Sequence, residues 1–231
     1  MKKIFEKNEL FFCILLIIVY VVSNSYGVQN FGVTDYRVAL INAIFSLILI
    51  SLIIILKRTK YYGLCRVNNP KKFLYFIPLY LIATVNIWPG ISINNSNLEI
   101  IFYILTMINV GFIEEIIFRG FLFKAIEKDN VNKAIIISAV TFGIGHIINL
   151  INGADFIPTL IQIIYAIALG FLFVIIFYKS KSLIPSILTH SLINSLSIFG
   201  VKSNSSLYII PMFLIIISIC YSIYIIKVIK E

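Results

Sequence analysis

Charge is scarce in this sequence, and negative charge scarcest of all. Charged residues make up 13% of the chain, and ten acidic side chains stand against nineteen Lys and Arg. A soluble domain carries about a quarter charged residues, so a water-exposed globule is excluded. Cysteine is thin as well: Cys13, Cys65 and Cys220 stand alone, and no pair has metal-ligand or redox spacing. A disulfide framework does not fit, and the three thiols read as packing residues. The chain has two histidines, His146 and His190. They form no HExxH pair, which excludes a soluble-zincin arrangement. There is no GxSxG elbow, and the polar spans hold no Asp to complete a serine triad. Segments of alternating polarity are absent too, which removes an outer-membrane barrel.

What is abundant is apolar sequence. The chain is 60% hydrophobic with a mean hydropathy of +1.02. Apolar runs of about 17–25 residues recur along it, the signature of membrane spans. The expectation is an all-α polytopic membrane protein with about eight transmembrane helices, near residues 10–26, 38–56, 73–88, 98–126, 133–150, 157–178, 183–199 and 207–226. The third and seventh are short, and the fourth is long enough to tilt or project. Pro78, Pro158, Pro185 and Pro211 lie near span starts or in first turns, where proline is tolerated. The first span follows Met1-Lys2-Lys3 and ends in SNSYG, like a secretory signal peptide. With seven further spans behind it, the expectation is an uncleaved anchor.

The loop charges test this count. Lys2, Lys3 and Lys7 precede the first span, and Lys57, Arg58, Lys60, Arg66, Lys71 and Lys72 follow the second. Further same-side loops carry Lys124, Lys128 and Lys133, then Lys179 and Lys181, then Lys227 and Lys230; the other side has Arg37 and Lys202. The positive-inside rule then puts both termini in the cytoplasm of a multi-pass cell-membrane protein. The net charge of +9 comes from these short loops, so nucleic acid is not an expected partner. Loop 57–72 reads as a topogenic signal rather than a lipid head-group site.

Against this background one stretch is out of place: GFIEEIIFRGF, residues 111–121. A charge inside a span costs about 2.5–3.5 kcal/mol on insertion scales. Glu115 and Arg119 are four apart and share a helix face; Glu114 is offset by about 100° and stays free. A packing salt bridge explains one glutamate, not two. Both histidines also lie in spans. His146 closes TFGIGH, one turn after Phe142, where Gly143 and Gly145 permit a close helix approach. His190 opens THSLIN, with Asn194 one turn later on the same face. At about 1.5 Å per residue, Glu114, His146, His190 and Asn194 all reach a middle layer about 10–20 Å from the cytoplasmic ends of their spans. One shared site fits this depth. Carboxylate, imidazole and amide groups together suit a water activated by glutamate, with or without a metal held by histidines, and an oxyanion stabilised by Asn194. Ser191 and Ser195 lie beside the set, but a serine nucleophile would need one of the two histidines.

The motifs E114-E115-x-x-x-R119, F142-x-x-x-H146 and H190-x-x-x-N194, in this order on successive spans, resemble those of the CPBP family of CAAX prenyl endopeptidases and bacteriocin-processing enzymes, also called Abi. The resemblance covers about residues 98–199, with no departure at a motif position. It divides the chain into residues 1–97, N-terminal transmembrane helices and the basic loop; 98–199, a catalytic core; and 200–231, a C-terminal helix. It implies an intramembrane endopeptidase, commonly labelled a metalloprotease, with its site open to the cytoplasm. Glu114 would activate water with His146 assisting, Glu115 and Arg119 would orient the site, and His190 with Asn194 would stabilise the oxyanion. His146, His190 and Glu114 are enough ligands for one catalytic zinc ion, and they suit metal-free acid–base work equally. The partners would be the bilayer and a peptide or membrane-protein substrate; a prenylated CAAX peptide and a leader peptide both suit. Two other readings compete. One is a non-catalytic immunity or scaffold protein of the same fold; the other is a transporter, against which stands the lack of paired broken helices.

Overall fold

A computed structural model describes residue 5, residues 8–201 and residues 203–229. The loop charges at Lys2, Lys3, Lys7, Lys202 and Lys230 lie outside the described residues. The described residues are mostly helical and contain no named strand, with one isolated antiparallel bridge, Ile91 with Gly200. Eight helices form the bundle: α1 Glu9–Phe31, α2 Tyr36–Ile55, α3 Ile77–Thr84, α4 Asn97–Glu127, α5 Val131–Gly145, α6 Phe156–Ser180, α7 Ile184–Leu196 and α8 Asn204–Val228.

Their starts follow from sequence. Asn8, Asp35, Asn130 and Ser203 each accept a backbone N–H of the first turn through the side chain. Ser96 and Glu99 form a reciprocal capping box at the head of α4. Pro78, Pro158 and Pro185 sit in first turns as expected, where the missing N–H costs nothing. Pro211 does not: α8 begins at Asn204, so this proline lies inside the helix.

Six helices among the described residues are long and apolar enough to cross a membrane: Glu9–Phe31, Tyr36–Ile55, Asn97–Glu127, Val131–Ile151, Phe156–Ser180 and Ser206–Val228. The count of about eight drops because the third and seventh expected spans are short. α3 is an eight-residue helix. It is preceded by Leu74, Tyr75 and Phe76, all at positive φ, so the apolar run from residue 73 cannot propagate as one helix. The hydroxyl of Tyr221 on α8 donates to the carbonyl of Phe73 and holds this irregular entry in place. α7 has thirteen residues and runs on as a 3₁₀ turn, Ser197–Phe199.

α4 is the longest element, 31 residues. At about 1.5 Å per residue it spans about 46 Å, more than the hydrocarbon layer. Its second half widens into a π-helical stretch, Ile116–Phe123, all eight residues of which are buried. A π turn leaves backbone groups poorly matched, and here Ser138 of α5 donates its hydroxyl to the Phe118 carbonyl at 2.9 Å. α5 and α6 pack along each other, α6 lies along α8, and α4 is held between α7 and α2.

The two ends of the bundle differ in chemistry. At one end Glu9 accepts from Arg58 at 3.0 Å and pairs with Lys128. There the loop 57–72 is sewn to the α6–α7 turn by Leu183 N–H to Gly63 O at 2.8 Å and by the Ser182 hydroxyl to Cys65 O. At the other end the segments at Gly90–Ser92 and Phe199–Val201 pair through their backbones, and Ser25 and Gln29 of α1 bond Asn152.

Candidate active site

Four candidate residues converge on one buried point at the middle of α4. Glu115 and Arg119 are both fully buried, and Arg119 Nη1 donates to Glu115 Oε1 at 3.0 Å. The guanidinium carbon lies 4.2 Å from the ring centre of Phe142 and 5.7 Å from that of Phe173. Nε and Nη2 are buried with no hydrogen-bond partner among the described residues, so aromatic faces substitute for acceptors on that side. Gly170 of α6 makes the room: a Cβ there would meet Nη2 and Phe142 Cδ1 at 3.1 Å each.

His190 of α7 joins the two glutamates. Its Nδ1 lies 2.9 Å from Glu115 Oε1 and its Nε2 3.5 Å from Glu114 Oε2. An ionised carboxylate only accepts hydrogen bonds. Glu115, paired with Arg119, thus accepts from His190 Nδ1–H and leaves Nε2 directed at Glu114. The second pairing is possible because α7 crosses α4 at Gly111, where a Cβ would come within 2.7 Å of Ser191 N and 2.5 Å of its hydroxyl. Ser191 itself donates to the carbonyl of Ile108 at 3.2 Å, so this serine binds α7 to α4. Glu114, offset from the ion pair, keeps 20% of its side chain accessible while Glu115 keeps none.

His146 stands at the end of α5, where the helix breaks before a last turn at Ile148–Ile151. Its Nδ1 is 3.2 Å from the carbonyl of Phe142, and its ring meets the Phe142 ring edge-on at 5.2 Å. Phe142 thus touches Arg119, His146 and His190 together. Asn194 is one turn beyond His190, half-buried, and its backbone carbonyl accepts from Ser197 at 2.7 Å. Of the two glycines expected to admit a neighbouring helix, Gly143 does so, against Ile163 and Ile167 of α6; a Cβ on Gly145 would meet nothing within 4 Å. The close approach ends one turn before His146 because α5 itself ends there.

Among the described residues no three His, Cys, Asp or Glu side chains group so as to hold a metal ion. His190 has Nδ1 committed to Glu115 and His146 has Nδ1 against the Phe142 carbonyl, so each would offer Nε2, beside Glu114, to an ion that takes three protein ligands. Phe173 and Gly170 complete the site, and sequence gave little sign of either: Phe173 is one of nineteen phenylalanines in an apolar helix.

Residues 96–196 match the family model described as type II CAAX prenyl endopeptidase Rce1-like. No curated protein and no solved structure matches the chain.

Proposed function

The match over residues 96–196 sets this segment in the CPBP, or CAAX protease, family, and on that premise we propose an intramembrane endopeptidase that works by glutamate-activated water. The observation that carries the reading is the division of labour between adjacent glutamates. Glu115 is fully buried and held by Arg119 and His190, whereas Glu114 beside it is partly accessible and carries no such clamp. One carboxylate is fixed as structure and the other is presented to a reactant.

Each group then has a step. Glu114 takes a proton from water as the water oxygen bonds to the scissile carbonyl carbon. The carbonyl oxygen becomes an oxyanion, which His190 Nε2–H and the Asn194 amide stabilise. Glu115 supports the imidazolium through Nδ1–H, as a buried carboxylate orients the base of a hydrolytic triad. Glu114 returns its proton to the leaving nitrogen, the C–N bond breaks, and a carboxylic acid and an amine are formed, which part as carboxylate and ammonium once the acid's proton passes to the amine. His146, at the open end of α5, assists the proton movement. The mechanism uses no metal. The site faces the cytoplasm of a plasma-membrane protein, and the substrate is a peptide or membrane-protein segment.

The test is Glu114→Gln, which keeps shape and removes the acceptor. With a fluorogenic peptide ending in a farnesylated CAAX sequence and an unprenylated peptide as parallel probes, turnover should fall about 10²–10⁴-fold. Thermal stability should not fall, because a costly membrane charge is gone. Chelation should leave the wild-type rate unchanged. A folded Glu114→Gln protein cleaving at the wild-type rate removes the mechanism; activity lost to chelator and regained with zinc replaces it with a metal-dependent one.

A further inference from the structure

A second buried polar group stands level with Glu114, on helices that carry no motif. Tyr20 of α1 is buried, and its hydroxyl donates to Asn42 Oδ1 of α2 at 3.3 Å. Asn42 is fully buried, and its amide nitrogen is spent on Val38 O at 3.0 Å and Asn24 Oδ1 at 2.9 Å. The amide is therefore oriented, with its oxygen reserved for Tyr20. That in turn commits the tyrosine proton to Asn42 and leaves the phenolic oxygen as an acceptor.

The register of α1 against α4 sets Tyr20 level with Glu114. The two helices run antiparallel and touch at Phe12 and Phe121, with ring centres 6.4 Å apart. From that contact Tyr20 is two turns along the same buried face as Phe12 and Leu16. Glu114 is two turns the other way along α4, so both lie about 11–12 Å from the shared contact on one side of it. The far end of α1 is tied to the segment after His146 through Ser25 and Gln29 to Asn152. α1 is thus tied to α4 near one end and to the segment after His146 near the other.

We propose that Tyr20, oriented by Asn42, is a further catalytic residue: its phenolic oxygen accepts a hydrogen bond from the second O–H of the water that Glu114 deprotonates. One water proton goes to Glu114, the other stays on the water oxygen and points at Tyr20, and the lone pair is left aimed at the carbonyl carbon. Tyr20 neither gains nor loses a proton. The proposal rests on Glu114 as the general base.

Two measurements test it. In Tyr20→Phe the ring remains and only the oxygen is lost. With the two peptide probes above, kcat should fall about 10²-fold, the scale for a misplaced reactant, with KM unchanged; thermal stability falls modestly in either case, because Asn42 Oδ1 loses its buried donor, so kcat is read where both proteins are folded, and a purely structural role would leave it at the wild-type value. Separately, Tyr20→Cys with Glu114→Cys, in a chain whose Cys13, Cys65 and Cys220 are replaced, should be joined by a short bismaleimide in native membranes, while Val22→Cys with Glu114→Cys should not. Wild-type kcat in Tyr20→Phe overturns the proposal, and if Glu114→Gln is then inactive the protease reading stands without it. Absence of the cross-link overturns it whatever the activity. If Glu114→Gln cleaves at the wild-type rate, the underlying reading fails, and Tyr20 loses its role with it.

Discussion

Arg119 shows how much chemistry one side chain carries here. It is fully buried, and its one hydrogen bond to a protein carboxylate goes to Glu115 at 3.0 Å. Removing one partner of a buried pair costs about 3–5 kcal/mol, because the other charge is left uncompensated. Arg119→Lys keeps the charge but not the planar group lodged between Phe142 and Phe173. We expect the variant to insert and fold with a modest loss of thermal stability and to lose most of its peptide cleavage, because Glu115 no longer holds His190 in place. Measuring melting temperature and kcat side by side separates the two effects; full activity in Arg119→Lys would reduce the pair to a packing contact. The polar residues of the site were legible in sequence because each is anomalous in lipid: two glutamates, an arginine and both histidines, in a chain that has few of any. Tyr20 was not, since the chain has thirteen tyrosines and a tyrosine is unremarkable in a span. Its importance lies in a contact with Asn42 on another helix, which no local pattern encodes.

At the scale of elements, the site depends on how closely helices approach. α7 lies against α4 at Gly111, and α6 leaves room for Arg119 at Gly170. In Gly111→Ala the new methyl would sit 2.5–2.9 Å from the Ser191 hydroxyl, N and Cα, and two of these are backbone atoms that yield only if the helices separate. Overpacking of this kind costs about 1–3 kcal/mol. His190 would withdraw from both glutamates together. The expected outcome is a folded protein, less stable by about that amount, with kcat lost out of proportion to stability. A Gly111→Ala protein with wild-type kcat would show that the α4–α7 spacing does not set the site. Element positions were largely readable from hydrophobic runs, and the long fourth span was foreseen. The π stretch at Ile116–Phe123 was not, because its apolar composition is that of any buried helix and the hydroxyl that supports it comes from Ser138, twenty residues on. The third span was over-read for a similar reason: composition gives apolar length, whereas the left-handed entry at Leu74–Phe76 is held by a tyrosine 148 residues away.

At the scale of the whole molecule, the fold has one basic end. Glu9, Arg58 and Lys128 pair there, and loop 57–72 is bonded to the α6–α7 turn. Three loops distant in sequence therefore share one side of the membrane. The opposite end is closed by backbone pairing at Gly90–Ser92 and Phe199–Val201, and Arg37 there is taken up by Asp35 at 2.8 Å. A basic end is retained in the cytoplasm during insertion. Reporter fusions at Lys60, Lys128 and Lys181 should accordingly read cytoplasmic, and fusions at Asn95 and Ser203 external. The two sets are coupled by the structure: α4 runs from beside Asn95 to beside Lys128, and α6 and α7 each run between the Lys181 turn and the opposite end, so one inverted position inverts the rest. Glu114 lies on α4 about 20 Å from Glu127, the last residue of that helix at the basic end, within reach of a substrate entering from that side. An external reading at Lys128 would turn the basic end outward, and the enzyme would then act on peptides outside the cytoplasm.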